Sequence, residues 1–326
     1  MIHIQPKDIS VPEVQRLMQG GIGPRPIALV STISKEGLHN LSPFSFFNAF
    51  GANPPIVAFS PSRRGKDATF KDTYNNLISN GECVIQCVTY SMVEQISLAS
   101  TEYAPDVNEF IKSGLTPIDS DLVKPKRVKE SPFQMECILK EMKNYGTGGS
   151  SANIAICEVL KFHVAEDLFE NGIIIPEKID LVGRMSADFY CRASGNSIFV
   201  VQKPVSKKGI GFDSLPVFIK ESNIYTANNL GKLANVESIP SDEEVEKFYK
   251  EKFEADTRNF ESGKEAFSRY ERLKDYEKML KAALLLDPRD PAKKDFIELS
   301  AKCALEENNV SFAWLAALLV NLLKLI

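Results

Sequence analysis

The chain has 326 residues, 44% of them hydrophobic and 25% charged, with a formal net charge of −4. This is the balance of an ordinary globular protein long enough for two domains, and it gives no broad basic footprint for nucleic acid. Six cysteines, at positions 83, 87, 137, 157, 191 and 303, form no CxxC and have no histidine at metal-ligand spacing. A reducing cytoplasm is therefore expected, with no disulfide framework and no metal site.

The N-terminal MIHIQPKDIS lacks the basic and apolar regions of a signal peptide. Ser10-Val-Pro-Glu13 is a capping box with proline in the first turn, so a short helix is expected to start there and end at Gly20-Gly21. From Ile22 to about Ile224 the pattern changes to strands. IALVST, PPIVAFS, CVIQCVTY, FQMECILK, NIAICEVLKFHV and SIFVVQ are short, rich in β-branched residues and bounded by Gly, Pro, Asn or Ser. Such segments predict a mainly β protein with a closed or nearly closed barrel, with helices at 68–79 and 92–100 between them.

Near Ser238-Ile-Pro-Ser241 the character changes again. Ser241-Asp-Glu-Glu244 is a second capping box opening a charged helical tract. Phe267, Tyr270, Leu273, Tyr276, Leu280 and Leu284 then recur at spacings of three and four, which predicts one amphipathic helix ending before Asp287-Pro288. Two more helical runs follow. The expected division is thus a barrel over 1–237 and an all-α domain over 238–326. The terminal FAWLAALLVNLLKLI, interrupted by Asn321 and Lys324, is shorter than the roughly 20 residues a bilayer requires, so a buried or partner-packing helix is expected and no membrane span.

Two stretches carry the functional signal. NLSPFSFFNAF, residues 40–50, mixes four phenylalanines with serines and asparagines. A flat heteroaromatic ligand needs apolar walls and a polar rim, which Phe44, Phe46 and Phe47 with Asn40, Ser42, Ser45 and Asn48 could supply. Taken alone, these residues read first as a strand and turn whose polar atoms bond only to backbone. After the strand PPIVAFS, the loop PSRRGKDATFKDTYNN holds Arg63, Arg64, Lys66 and Lys71 ahead of a helix whose start could carry Thr69 or Thr73. Arginine forks, lysine charges and exposed helical N–H groups suit a phosphate, and a solvated basic loop is the alternative.

The ordered blocks GPRPIALVST (23–32), G-x-x-NLSPFSFFNA (37–49), PPIVAFSP (54–61), KDTYNNL-x-x-NGE (71–82), ESPFQMEC (130–137) and EVLKFHV (158–164) resemble the flavin reductase-like, FMN-binding split-barrel family, which includes flavoredoxins and the reductase components of two-component monooxygenases. The resemblance runs over about residues 20–205. It implies a homodimer of split β-barrels, each holding FMN near the subunit interface. Ser31, Thr32 and the segment Asn40–Asn48 would line the isoalloxazine. Ser60, Arg63, Arg64, Lys71 and Thr73 would surround the ribityl phosphate, with Asp72 capping the helix or orienting Lys71. His163 falls at the family's strand-borne histidine, with Arg184 and Tyr190 at an arginine and an aromatic position.

A satisfied structural histidine is the competing reading of His163, and His39 is expected to face solvent. YGTGGSSAN (145–153) precedes a strand and is read as a flexible hairpin loop, since it lacks the phosphate-loop pattern. With no G-x-G-x-x-G after a strand, a nicotinamide donor, NADH or NADPH, would have to stack directly on the flavin. The leading functional expectation is an FMN-dependent oxidoreductase passing electrons to a second acceptor. The rivals are a flavoredoxin-type carrier served by a redox partner protein and a non-catalytic binding protein that uses its helical domain.

Overall fold

The structure, a computed structural model, describes residues 1–201, 208–253 and 260–325. The chain packs as two compact units, Met1–Val200 and Val201–Ile326.

The first unit is built on one seven-stranded antiparallel sheet. Its strands are β1 (Ala28–Ile33), β2 (His39–Phe44), β3 (Phe47–Ala52), β4 (Pro55–Phe59), β5 (Glu82–Cys87), β6 (Phe133–Tyr145) and β7 (Ala152–Val164), in the order β2-β1-β5-β6-β7-β4-β3. β1 explains why apolar runs here do not alternate with polar residues. Side chains on a strand point alternately to its two faces. Ala28 and Val30 enter a core with Phe44, Val57, Phe59, Ile85 and Cys157, while Leu29 enters a second core with Leu41, Val88, Met92 and Phe110. A strand covered on both sides is apolar throughout.

The mainly β core with flanking helices agrees with the expected class, but the ladder does not join β2 to β3, so hydrogen bonding leaves the sheet open. The flanking helices are α1 (Val11–Gly21), α2 (Asp72–Asn80), α3 (Val93–Ala99) and α4 (Glu109–Ser113). α1 begins at the Ser10–Glu13 capping box foreseen from sequence. SIFVVQ departs from its expectation. Residues 198–201 form no strand, and Phe199, Val200 and Val201 are exposed; Gln202 lies outside the described residues.

In the second unit a single helical turn, Val217–Lys220, precedes α5 (Ala227–Ala234), α6 (Asp242–Phe253), α7 (Lys264–Arg272), α8 (Tyr276–Leu284), α9 (Ala292–Glu306) and α10 (Val310–Leu322). Ile219, Leu230 and Leu233 share one core with Leu280, Ile297, Ala301 and Trp314. Packing therefore divides the chain at 200/201 rather than at the 237/238 read from composition, because the helices before 237 bury their apolar faces with those after it. The stripe from Phe267 to Leu284 is carried by two helices rather than one. Lys274 breaks it with a φ of 54°, and Leu273 is exposed.

The terminal apolar run forms α10, whose Phe312, Ala313, Trp314, Ala316, Ala317, Leu319 and Val320 are buried. No helix among the described residues is long and apolar enough to cross a membrane. Trp314 is 1% exposed and donates from Nε1 to the Leu233 carbonyl at 3.0 Å, tying α10 to α5. Trp314→Ala is expected to cost about 3–5 kcal/mol through lost burial and the cavity left behind. A fall in the urea midpoint of the helical transition, followed by far-UV circular dichroism, checks this.

Candidate functional site

Alternation along β2 puts Asn40, Ser42 and Phe44 on one face, beside the start of α2. Asn40, Ser42, Arg64, Lys71, Asp72, Thr73, Glu102 and Glu109 line a single pocket there. Asn40 is buried, and both ends of its amide are engaged. Its Oδ1 accepts from Thr73 Oγ1 at 2.8 Å and from Thr32 Oγ1 at 3.3 Å, and its Nδ2 donates to Glu109 Oε1 at 3.2 Å. Asn76 Nδ2 donates to Thr32 Oγ1 at 3.0 Å, and the Leu41 N–H donates to Glu109 Oε2 at 3.0 Å. Burial pushes the Glu109 carboxyl above its ordinary value against the hydrogen bonds that it accepts. Asn40, Thr32 and Thr73 thus fasten α2 and α4 to the sheet edge, and Asn40 and Thr73 line the pocket.

The cations line the same pocket. Lys71 is the N-cap residue of α2 and its side chain makes no capping hydrogen bond, so among the described residues the first-turn N–H groups have no side-chain acceptor. Lys71 Nζ lies 5.9 Å from the centre of the Phe44 ring. Phe44 is 6% exposed and packs on Phe59 with ring centres 5.3 Å apart. Arg64 Nη2 pairs with Asp72 Oδ2 at 2.9 Å, so Asp72 orients Arg64 rather than Lys71. Glu102 Oε1 stands 3.9 Å from both Arg64 Nε and Lys71 Nζ. Burial lowers the pKa of the Lys71 ammonium, with Glu102 acting in the opposite direction.

Arg63 points elsewhere. Its guanidinium lies 3.9 Å from the centre of the Phe70 ring, donates to the Ala68 carbonyl at 2.8 Å, and keeps Nε buried without a partner. Ser60 is bonded to Ser62 Oγ at 3.0 Å. The glycine-rich turn between β6 and β7 is fastened to this loop. The Arg63 N–H donates to the Ser151 carbonyl at 3.0 Å and the Ser150 N–H to the Arg63 carbonyl at 3.2 Å. A Cβ on Gly149 would meet the Gly65 carbonyl oxygen at 2.5 Å. Gly149→Ala is therefore expected to force the two backbones apart, destabilising the first unit by about 1–3 kcal/mol; thermal unfolding measures it.

The remaining expected residues are dispersed. Ser31 Oγ is buried and donates to the Lys126 carbonyl at 2.5 Å, away from the pocket. Ser45 and Phe46 sit by Arg25, which sequence reading did not single out although it lies in the GPRP block. Arg25 is 4% exposed, donates to the Gln19, Ile22 and Met185 carbonyls, and lies 5.9 Å from the Phe46 ring centre. Phe47 packs on the sheet core, and exposed Asn48 bonds its own neighbour, the Ala49 N–H, at 2.8 Å. Tyr190 lies on the hairpin β8 (Val182–Arg184) and β9 (Tyr190–Arg192), and its hydroxyl accepts from Arg184 Nη1 at 2.5 Å. His39 is not solvent-exposed as expected. It is half-buried edge-on to Phe110, with Nδ1 unpartnered and its pKa lowered by burial.

His163 has a partner of its own. Nε2 lies 2.6 Å from Oε1 of Glu136, which is fully buried and accepts backbone N–H groups from Asp121, Leu122 and Val123. Asp121 completes a cluster whose ligand atoms lie within 4.8 Å of one another, but Lys161 already pairs with Asp121 at 2.5 Å. Burial pushes the Glu136 carboxyl up, and the Asp121 N–H with His163 more than offsets this, holding it below its ordinary value. With the folded pKa depressed, its contribution to stability is present above the ordinary carboxylate range and is lost as pH falls through it. Glu136→Gln should flatten that acid loss, and Glu136→Ala should cost about 3–5 kcal/mol by orphaning the buried donors; urea titrations from neutral pH down to below the ordinary carboxylate range check both.

Residues 21–179 match the flavin reductase like domain. An uncharacterized protein of Aquifex aeolicus is 36% identical over 191 residues, covering 58% of this chain and 94% of that protein. Nitrilotriacetate monooxygenase component B from Bacillus cereus is 33% identical with a TM-score of 0.58, covering 61% of this chain and 98% of that one. The Pseudomonas fluorescens 2-nitrobenzoate 2-nitroreductase NbaA, at 24% identity and a TM-score of 0.54 over 64% of this chain and all of that one, shares the fold. The chain belongs to the flavin reductase-like family, and the family match ends before the helical unit begins.

Proposed function

We propose that the first unit binds FMN and acts as an NAD(P)H-dependent flavin oxidoreductase that passes electrons to a second acceptor. The observation that carries this reading is the convergence of Arg64 and Lys71 on the uncapped start of α2, beside the Ser42 hydroxyl and the Phe44 ring, in a chain of this family. The donor set fits a phosphate monoester: a guanidinium, an ammonium, a hydroxyl and first-turn amides at the positive end of a nine-residue helix. Bound flavin would supply hydride acceptance and onward electron transfer. Lys71 and Arg64 would neutralise the phosphate, and Phe44, held against Phe59, would give the ring system an apolar wall.

The protein's part is binding and orientation, which suits a pocket whose carboxylates are paired with cations or amides. The name of the Bacillus cereus relative, a monooxygenase component, supports a partner protein as acceptor. A cytoplasmic homodimer with flavin near the interface completes the proposal, supported by the edge strand β3, where Phe50 is 70% exposed.

The test begins with the visible spectrum of the full chain incubated with FMN, followed by rapid mixing with NADH or NADPH. Bleaching supports the reading, and a chain that takes up no FMN at micromolar concentration removes it. Arg64→Ala with Lys71→Ala should weaken FMN by at least about tenfold while the fold persists, given the ~1.5–3 kcal/mol of a charge-assisted hydrogen bond. Fluorescence quenching of FMN measures the affinity, and an unchanged value overturns the phosphate assignment.

A further inference from the structure

Glu102 stands where an anion would stand. Oε1 is 3.9 Å from both Arg64 Nε and Lys71 Nζ, equidistant from the two cations proposed to hold phosphate. Neither contact is a hydrogen bond, and the Glu102 side chain is 56% exposed, so the attraction is electrostatic and screened by solvent. Arg64 already has a closer partner in Asp72 at 2.9 Å, which is fixed on α2. Glu102 is a second carboxylate brought in by the segment 100–108 between α3 and α4.

The backbone of that segment bonds to the end of α3 and to itself. The Ser100 N–H bonds the Ser97 carbonyl, Thr101 bonds Leu98, Tyr103 bonds Thr101, and Val107 bonds Ala104. Glu102 can swing out without breaking a sheet ladder. Ser100, Thr101 and Tyr103 line the same pocket.

We infer that Glu102 is an internal competitor for the phosphate position and sets how strongly the pocket prefers a phosphorylated flavin over an unphosphorylated one. The flavin part of this inference rests on the function proposed above; the competition between a carboxylate and a phosphate for Arg64 and Lys71 does not. A phosphate monoester must displace one negative charge before it meets the two cations. Riboflavin brings no phosphate and leaves Glu102 in place. The device lowers affinity for FMN and so favours a flavin that exchanges over one that is permanently held.

The experiment compares the full-length parent with Glu102→Gln, which keeps size and removes charge. FMN and riboflavin binding are read by flavin fluorescence, and inorganic phosphate binding by calorimetry. Glu102→Gln should bind FMN and inorganic phosphate roughly fivefold more tightly, the scale of one exposed ion pair, with riboflavin unchanged. Unchanged or weaker FMN binding overturns the inference, because Glu102 would then be neutral or would be orienting the cations. Equal tightening of riboflavin overturns it too. If the parent binds neither flavin, the flavin reading falls and the phosphate titration decides alone: tighter phosphate in Glu102→Gln upholds the competition, while equal or undetectable binding in both chains ends it.

Discussion

The first unit turns on the buried amide of Asn40. Through one side chain, β2 is joined to β1 at Thr32, to α2 at Thr73 and to α4 at Glu109. A buried amide has no water to turn to, so each of these partners becomes obligatory. The arrangement fixes where α2 begins relative to the sheet edge, and the start of α2 decides where Lys71 and Asp72 stand. The electrostatics of the pocket therefore inherit their geometry from a neutral hydrogen-bond network beneath them.

Above the amide, charge is balanced rather than simply positive. Arg64 and Lys71 face Asp72 and Glu102, while Glu109 turns its oxygens to Asn40 and the Leu41 N–H. A site with two cations and no nearby acid would hold an anion tightly and release it slowly. Pairing the arginine with a helix-borne aspartate keeps its fork oriented before any ligand arrives. The lysine, less well paired and partly desolvated, is the more available of the two charges.

Much of this was legible in the chain itself. The strands were readable because β-branched apolar runs ended at Gly, Pro, Asn or Ser, and the ordered blocks from Gly23 to Val164 named the family. Asn40, Ser42, Arg64, Lys71 and Thr73, chosen from sequence, line one pocket. Other features could not be read. The break at Lys274 is a single left-handed residue inside an unbroken apolar stripe, which spacing alone reports as one helix. SIFVVQ has the composition of a strand, but residues 198–201 find no partner strand. Glu102 and Glu109 reach the pocket from a loop and a short helix some thirty residues beyond Lys71, and nothing local marks a glutamate that will sit beside an arginine. The glycines of 145–153 read as a flexible hairpin loop, whereas Gly149 is required by contact with a backbone more than eighty residues away.

The chain holds one tryptophan, Trp314, sealed in the helical core with its indole N–H satisfied. Its emission is thus a private optical channel: blue-shifted while the second unit is packed, and moving to the red when that unit opens. The sheet unit contains tyrosines but no indole, so selective excitation near the red edge of the tryptophan band would report on the helices alone. Any loosening of one half of the molecule can then be dated separately from loosening of the other, with no label attached.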